Sequence, residues 1–96
     1  MKTHELKIWP DYFKAVSMGI KTFEVRKSDR DFVFGDTVVL KEWDPTKDFI
    51  DHTRQQLSLP RGYTGREVKF RIGYIFQLDG DECVFSLLPI LDGLPK

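Results

Sequence analysis

Between Arg66 and Phe76 an apolar residue falls at every second position: Val68, Phe70, Ile72, Tyr74 and Phe76. Glu67, Lys69 and Arg71 take the places between the first of them. A period of two is the pattern of a strand with one buried face, whereas a helix needs a period near 3.6. The spacing therefore predicts a strand over 66–76, and the chain has to be organised around a sheet.

Shorter segments fit the same sheet. Thr3–Ile8 reads as a strand with Leu6 and Ile8 on one face. Thr22–Lys27 reads as another, with Phe23 and Val25 on one face and Thr22, Glu24 and Arg26 on the other. Thr37–Trp43 is rich in β-formers, and Cys83–Leu88 is a short apolar strand closed by Pro89. Pro10 and Asp11 open a helix that reaches Met18, since proline and an acidic side chain both suit a helix N-terminus. Tyr12, Ala15, Val16 and Met18, with Phe13 beside them, supply its apolar stripe. Gly19 is placed to end it in a left-handed conformation. Gly35-Asp36 and Asp79-Gly80-Asp81 are turn signals. Asp44–Gly65 holds two prolines, two glycines and many charges, and is expected to be a partly irregular insertion with a helical turn near Ile50–Leu57. The order β-α-β-β-insert-β-β implies an α+β domain or small mixed β-barrel with one clear helix, not a doubly wound parallel sheet.

A chain of 96 residues suffices for one domain, 1–96. Net charge is zero and aromatics are 14%, a combination that argues for a packed core and against disorder. Zero net charge also removes the simplest case for nucleic-acid binding, but charge is segregated locally. Arg61, Arg66, Lys69 and Arg71 against Glu67 give one window of +3, and Asp79, Asp81 and Glu82 give one of −3. Cys83 is the one cysteine, which excludes an internal disulfide and favours a reducing, cytoplasmic setting. No signal peptide or membrane-length apolar run is visible. His4 and His52 lack the spacing and cysteine partners of a zinc site, no P-loop or dinucleotide fingerprint occurs, and neither metal nor cofactor is expected.

The densest polar pattern follows Gly19. Lys21 stands where helix gives way to strand, and Glu24 and Arg26 project one pleat apart. An ammonium and a guanidinium beside a carboxylate suit an anion or nucleobase, with the carboxylate accepting hydrogen bonds or moving a proton. An exposed ion pair is the plainer account of the same residues, worth at most about 1 kcal/mol. The second basic group, Arg66 and Arg71 with Tyr63 nearby, suits phosphate contact and base stacking, or equally the polar outer face of a sheet. Asp29-Arg30-Asp31 reads first as turn chemistry.

Taken together, Gly19-x-Lys21-x-x-Glu24-x-Arg26, Gly35-Asp36 and the apolar strand after them resemble the signature of ASCH domains, small β-barrels of the PUA-like superfamily. Further pieces resemble a small bacterial and phage family of unknown function within that group: His4-Glu5-Leu6-Lys7, Lys21-Thr22-Phe23-Glu24-Val25-Arg26-Lys27, Asp29-Arg30-Asp31-Phe32, Glu42-Trp43-Asp44-Pro45 and Tyr63-Thr64-Gly65-Arg66. The resemblance implies a barrel with a cleft lined by Lys21, Glu24 and Arg26 that binds RNA or a nucleotide-like ligand; Arg30, Tyr63, Arg66 and Arg71 are the further candidate ligand contacts. One related branch is an amidohydrolase of N4-acylated cytidines, such as N4-acetylcytidine, with a Lys, a Thr and a distant Glu as its catalytic set. Its Lys aligns with Lys21 and its Thr with Glu24; Glu67 is the candidate for the distant Glu. Lys21 and Glu24 are thus the candidate catalytic residues, but the missing hydroxyl ranks hydrolysis second. A protein-interaction module using the insertion is the third reading.

Overall fold

A computed structural model describes residues 1–46 and 62–90, and every structural statement refers to these. Five strands and one helix follow the chain order β1 (Thr3–Ile8), α1 (Pro10–Ser17), β2 (Phe23–Lys27), β3 (Thr37–Trp43), β4 (Tyr63–Gln77) and β5 (Glu82–Leu88). The strands form one sheet in the order β1-β3-β4-β5-β2. β1 runs parallel to β3, and the other pairs are antiparallel. The result is an α+β fold built on a mixed, curled sheet. Its ladder leaves β1 and β2 as the two edges, and two arginines reach across between them. Arg26 Nη2 donates to the Lys7 carbonyl at 2.6 Å, and Arg30 Nη1 to the Glu5 carbonyl at 3.2 Å. The curl therefore brings the edges together, and side chains join what no backbone ladder joins.

The inner face holds the core. Leu6 and Ile8, Val38 and Leu40, Ile72, and Cys83, Phe85 and Leu87 bury one side of four strands, and Phe13 and Val16 of α1 pack on them. Burying one such side chain contributes about 1.5–3 kcal/mol. Cys83 behaves as a small core hydrophobe, as its apolar strand suggests.

Two expectations about faces need correction. The helix buries Phe13 and Val16, while Tyr12 and Met18 are exposed. The buried stripe is the i, i+3 pair, and Tyr12 stands beside Lys21 instead. The alternation of β4 does break. The register shifts between Ile72 and Ile75, because Gly73 and Tyr74 together oppose Ser86. This one-residue bulge turns Ile75 toward the core and leaves Tyr74 and Phe76 exposed. In β2, whose two faces the sequence separates without ranking them, the polar one turns inward: Glu24 is buried, Phe23 and Val25 are exposed.

The insertion expected over Asp44–Gly65 gives up its last residues to β4, which begins at Tyr63. Its described ends lie together, with the Asp44 amide donating to the Gly62 carbonyl at 2.7 Å. Gly62 has φ +89° and sits against the Trp43 indole, where a Cβ would fall 2.5 Å from Nε1. The helical turn expected near Ile50–Leu57 lies outside the described residues.

Candidate functional site

The end of α1 fixes the position of Lys21. Gly19, at φ +75°, turns the chain so that the Ile20 and Lys21 amides both donate to the Ala15 carbonyl, at 2.9 and 3.1 Å. β2 starts two residues later, and its pleat sends Glu24 and Arg26 to the inner side. The three charged groups meet at one carboxylate. Lys21 Nζ donates to Glu24 Oε1 at 2.5 Å, and Arg26 Nε to Glu24 Oε2 at 3.0 Å. The Glu24 side chain is 4% exposed, against 20% for Lys21 and 24% for Arg26, so the carboxylate forms the floor and the cations reach the opening.

Aromatic rings wall this group. Lys21 Nζ lies 5.3 Å from the ring centres of both Tyr12 and Phe23. Trp9 and Trp43 meet edge to face at 6.0 Å, and Lys7 Nζ stands 4.5 Å from the Trp43 ring. The cleft between them, about 280 Å³, opens where the edges of β1 and β2 approach, and Trp9, Tyr12, Lys21, Glu24, Arg26 and Trp43 line it. An ammonium and a guanidinium over a buried carboxylate, flanked by exposed Trp9 and Tyr12, can hold a planar ring and an anionic group together. Trp9 and Trp43 read from sequence as core or rim packing; the structure makes them rim and places them at the cleft. For Trp9 the signal was its pairing with Tyr12 across the Pro10 helix start.

The other predicted residues lie elsewhere. Arg30 belongs to the seam, beside a second hollow of about 260 Å³ lined by Arg26, Asp29 and Phe32. Arg66 makes a forked pair with buried Glu42, both contacts at 2.8 Å, and its guanidinium covers Phe13. Burial by itself would raise the Glu42 carboxyl, but the hydrogen bonds from Arg66 and Thr64 and the Arg66 charge outweigh it and hold Glu42 below the usual range. Tyr63 and Arg66 share a hollow of about 400 Å³ with Lys41 and Glu67. That hollow is the larger of the two, and in it both Nε and Nη2 of Arg66 are taken by Glu42. Arg71 reaches the Gly35 carbonyl at 3.4 Å and does not line the Lys21 cleft. Glu67 stands on the outer face opposite Lys41, outside the cleft as well.

One buried pair escaped the sequence reading. His4 Nε2 lies 2.8 Å from Asp36 Oδ2, and both side chains are buried. The Lys2 and Val33 amides donate to the same carboxylate at 3.0 and 3.2 Å. Burial pushes Asp36 up, and the His4 hydrogen bond, those two amides and the His4 charge bring it down further than burial lifts it. Packed at a tilt against Phe32, which in turn packs on Phe85, His4 pins the Val33–Asp36 turn to β1. Among the described residues no three His, Cys, Asp or Glu side chains group as metal ligands do. No helix among them is long and apolar enough to cross a membrane.

Fold and cleft together define a small α+β protein whose curled sheet is joined at its edges by arginines, with a charged, aromatic-walled cleft at the join. The chain belongs to the family described as domain of unknown function DUF3850, which matches residues 3–90. It is also 37% identical over 71 residues, 74% of its own length, to a protein of Escherichia phage P2 described as an uncharacterized 12.9 kDa protein in the GpA 3′ region. The match spans about half of that relative, 51% of its length.

Proposed function

We propose that this is an ASCH-like domain of the PUA-like class, and that it binds RNA or a nucleotide-like ligand in the Lys21–Glu24–Arg26 cleft. The observation that carries this reading is the meeting of two cations on one buried carboxylate between exposed aromatic rings. An ammonium has three donors, and Glu24 takes one of those of Lys21. The others remain for a phosphate or a base carbonyl. Trp9 and Tyr12 offer faces on which a base stacks, worth about 1–3 kcal/mol per base. The resemblance to ASCH domains rests on the same residues.

The test is fluorescence anisotropy with short single-stranded RNA and mononucleotides at low salt. Binding that weakens as salt rises is expected, with Lys21→Ala and Trp9→Ala each reducing affinity roughly tenfold. Absence of binding to RNA and nucleotide alike at low salt would overturn the reading.

A second reading, hydrolysis of an acylated nucleoside such as N4-acetylcytidine, draws on one observation: the Glu24 carboxylate adjoins the Lys21 ammonium, a base beside a stabiliser of an oxyanion. Both Glu24 oxygens are already hydrogen-bonded, which ranks it behind binding. Product formation detected by mass spectrometry, lost in Lys21→Ala, would reverse that ranking.

A further inference from the structure

The outer face of the sheet divides in two. Across β1, β3 and the first half of β4 it is charged, with Lys41 3.4 Å from Glu5 and Glu67 and Lys69 alongside. Across the second half of β4, β5 and β2 it is mainly apolar, with Ser86 within it and the Lys27–Glu82 pair at its end. Val25 lies opposite Val84, and Val84 opposite Phe76, in one row across three strands. Phe23, opposite Ser86, and Leu88, opposite Arg71, extend it along the strands, and the bulge at Gly73 adds Tyr74, which is 75% exposed. A solvent-facing strand surface is ordinarily polar. This one presents on the order of 500 Å² of apolar side chain, at the upper end of what monomers expose.

We propose that this face is an isologous dimer interface and that its occupant is a second copy of the chain. The exposed patch plus a polar rim approaches the ~800 Å² per partner of a standard interface. The charge pattern fits self-association more closely than it fits a partner of one sign. Along β4 the outer face reads Lys69 and Arg71, then Tyr74 and Phe76, then the turn with Asp79 and Asp81. Arg71 and Asp79 stand four residues either side of Ile75; β4 runs extended to Gln77 and Asp79 follows in the turn, so each lies roughly 10–13 Å from that level. A two-fold axis crossing the strands at the level of Ile75 lays the two copies of β4 antiparallel over one another. It packs the Val25–Val84–Phe76 row on itself and sets the acidic turn of each copy over Lys69 and Arg71 of the other. Zero net charge leaves no long-range repulsion between copies. The exposed Tyr74 is the kind of side chain that anchors such an interface.

Sedimentation equilibrium of the full chain up to roughly 100 µM reads the association directly. A reversible dimer is expected, weakened at least tenfold by Phe76→Ser and by Tyr74→Ser with the far-UV circular dichroism unchanged. Arg71→Glu is expected to weaken it about tenfold, and Asp79→Lys with Asp81→Lys in the same chain to restore it. A monomer throughout that range would overturn the proposal and leave the face to a different macromolecule. So would a dimer indifferent to both apolar variants, or one that the compensating lysines fail to restore.

Discussion

At the scale of single residues, the buried carboxylates set how the fold responds to acid. Asp36 accepts from His4, Lys2 and Val33, and Glu42 accepts from Arg66 and Thr64. In both, the hydrogen bonds and opposite charge more than offset the burial that would raise them, so both are held below their ordinary values when folded. The unfolded chain therefore takes up protons first as pH drops. The stability these groups contribute is complete above the ordinary carboxylate range, near 4, and is lost as pH falls through it toward the lower folded values. The urea midpoint is expected to decline between about pH 5 and pH 2. Asp36→Asn should cost about 1–3 kcal/mol at neutral pH by leaving donors poorly matched, and should flatten part of that acid decline. A variant whose midpoint falls with pH in parallel with the parent chain would show that Asp36 is not among the groups responsible. None of this was legible in sequence. Thirty-two positions separate His4 from Asp36, and only the parallel pairing of β1 with β3 brings them together.

Secondary-structure elements were read well in kind and place, and less well in orientation. All five strands and the helix fall where alternation, proline and glycine put them. Period-two alternation names two faces but does not say which one is buried, and β2 shows the consequence: only the structure turns Glu24 in and Phe23 and Val25 out. In β4 the residues Ile72, Tyr74 and Phe76 alternate in sequence where the structure does not, because the bulge moves Tyr74 and Phe76 to the outer face without any change in residue type to mark it. The available signal was Gly73, an isolated glycine within a strand. There, a Cβ would stand 2.3 Å from Ser86 Oγ and 3.1 Å from Leu88 Cγ, while that same Oγ accepts from the Tyr74 amide at 2.9 Å. Gly73→Ala is expected to destabilise by about 1–3 kcal/mol in urea unfolding, the range for overpacking. Removing the obstructing oxygen with Ser86→Ala in the same chain should recover part of that loss, a coupling a double-mutant cycle measures. Strict additivity of the two substitutions would mean that the glycine is not required by the Ser86 contact.

For the molecule as a whole, the decisive feature is that the sheet curls until its edges meet but is joined there by arginine side chains. The sequence pattern placed Lys21, Glu24 and Arg26 near one another; it held no sign that Arg26 would also span to β1, since that depends on the curl of the entire sheet. Arg26 donates through Nε to Glu24 and through Nη2 to the Lys7 carbonyl, so one planar group serves both the cleft floor and the seam. Lysine cannot reproduce that. Its single ammonium carries the same charge but lacks the rigid fork that reaches two acceptors in different directions. Arg26→Lys therefore separates charge from geometry. Because the seam contact is exposed, its loss is expected to lower stability by only about 1 kcal/mol, together with faster hydrogen exchange at β1 amides. If the cleft binds a nucleotide, affinity should fall while its dependence on salt stays unchanged, because the number of cations is the same. Arg26→Ala should lose both the seam and one unit of salt slope. Unchanged exchange at the β1 amides in both variants, with an unchanged salt slope in the alanine variant, would assign Arg26 to neither role, and the cleft would then owe its shape to the backbone of β2 alone.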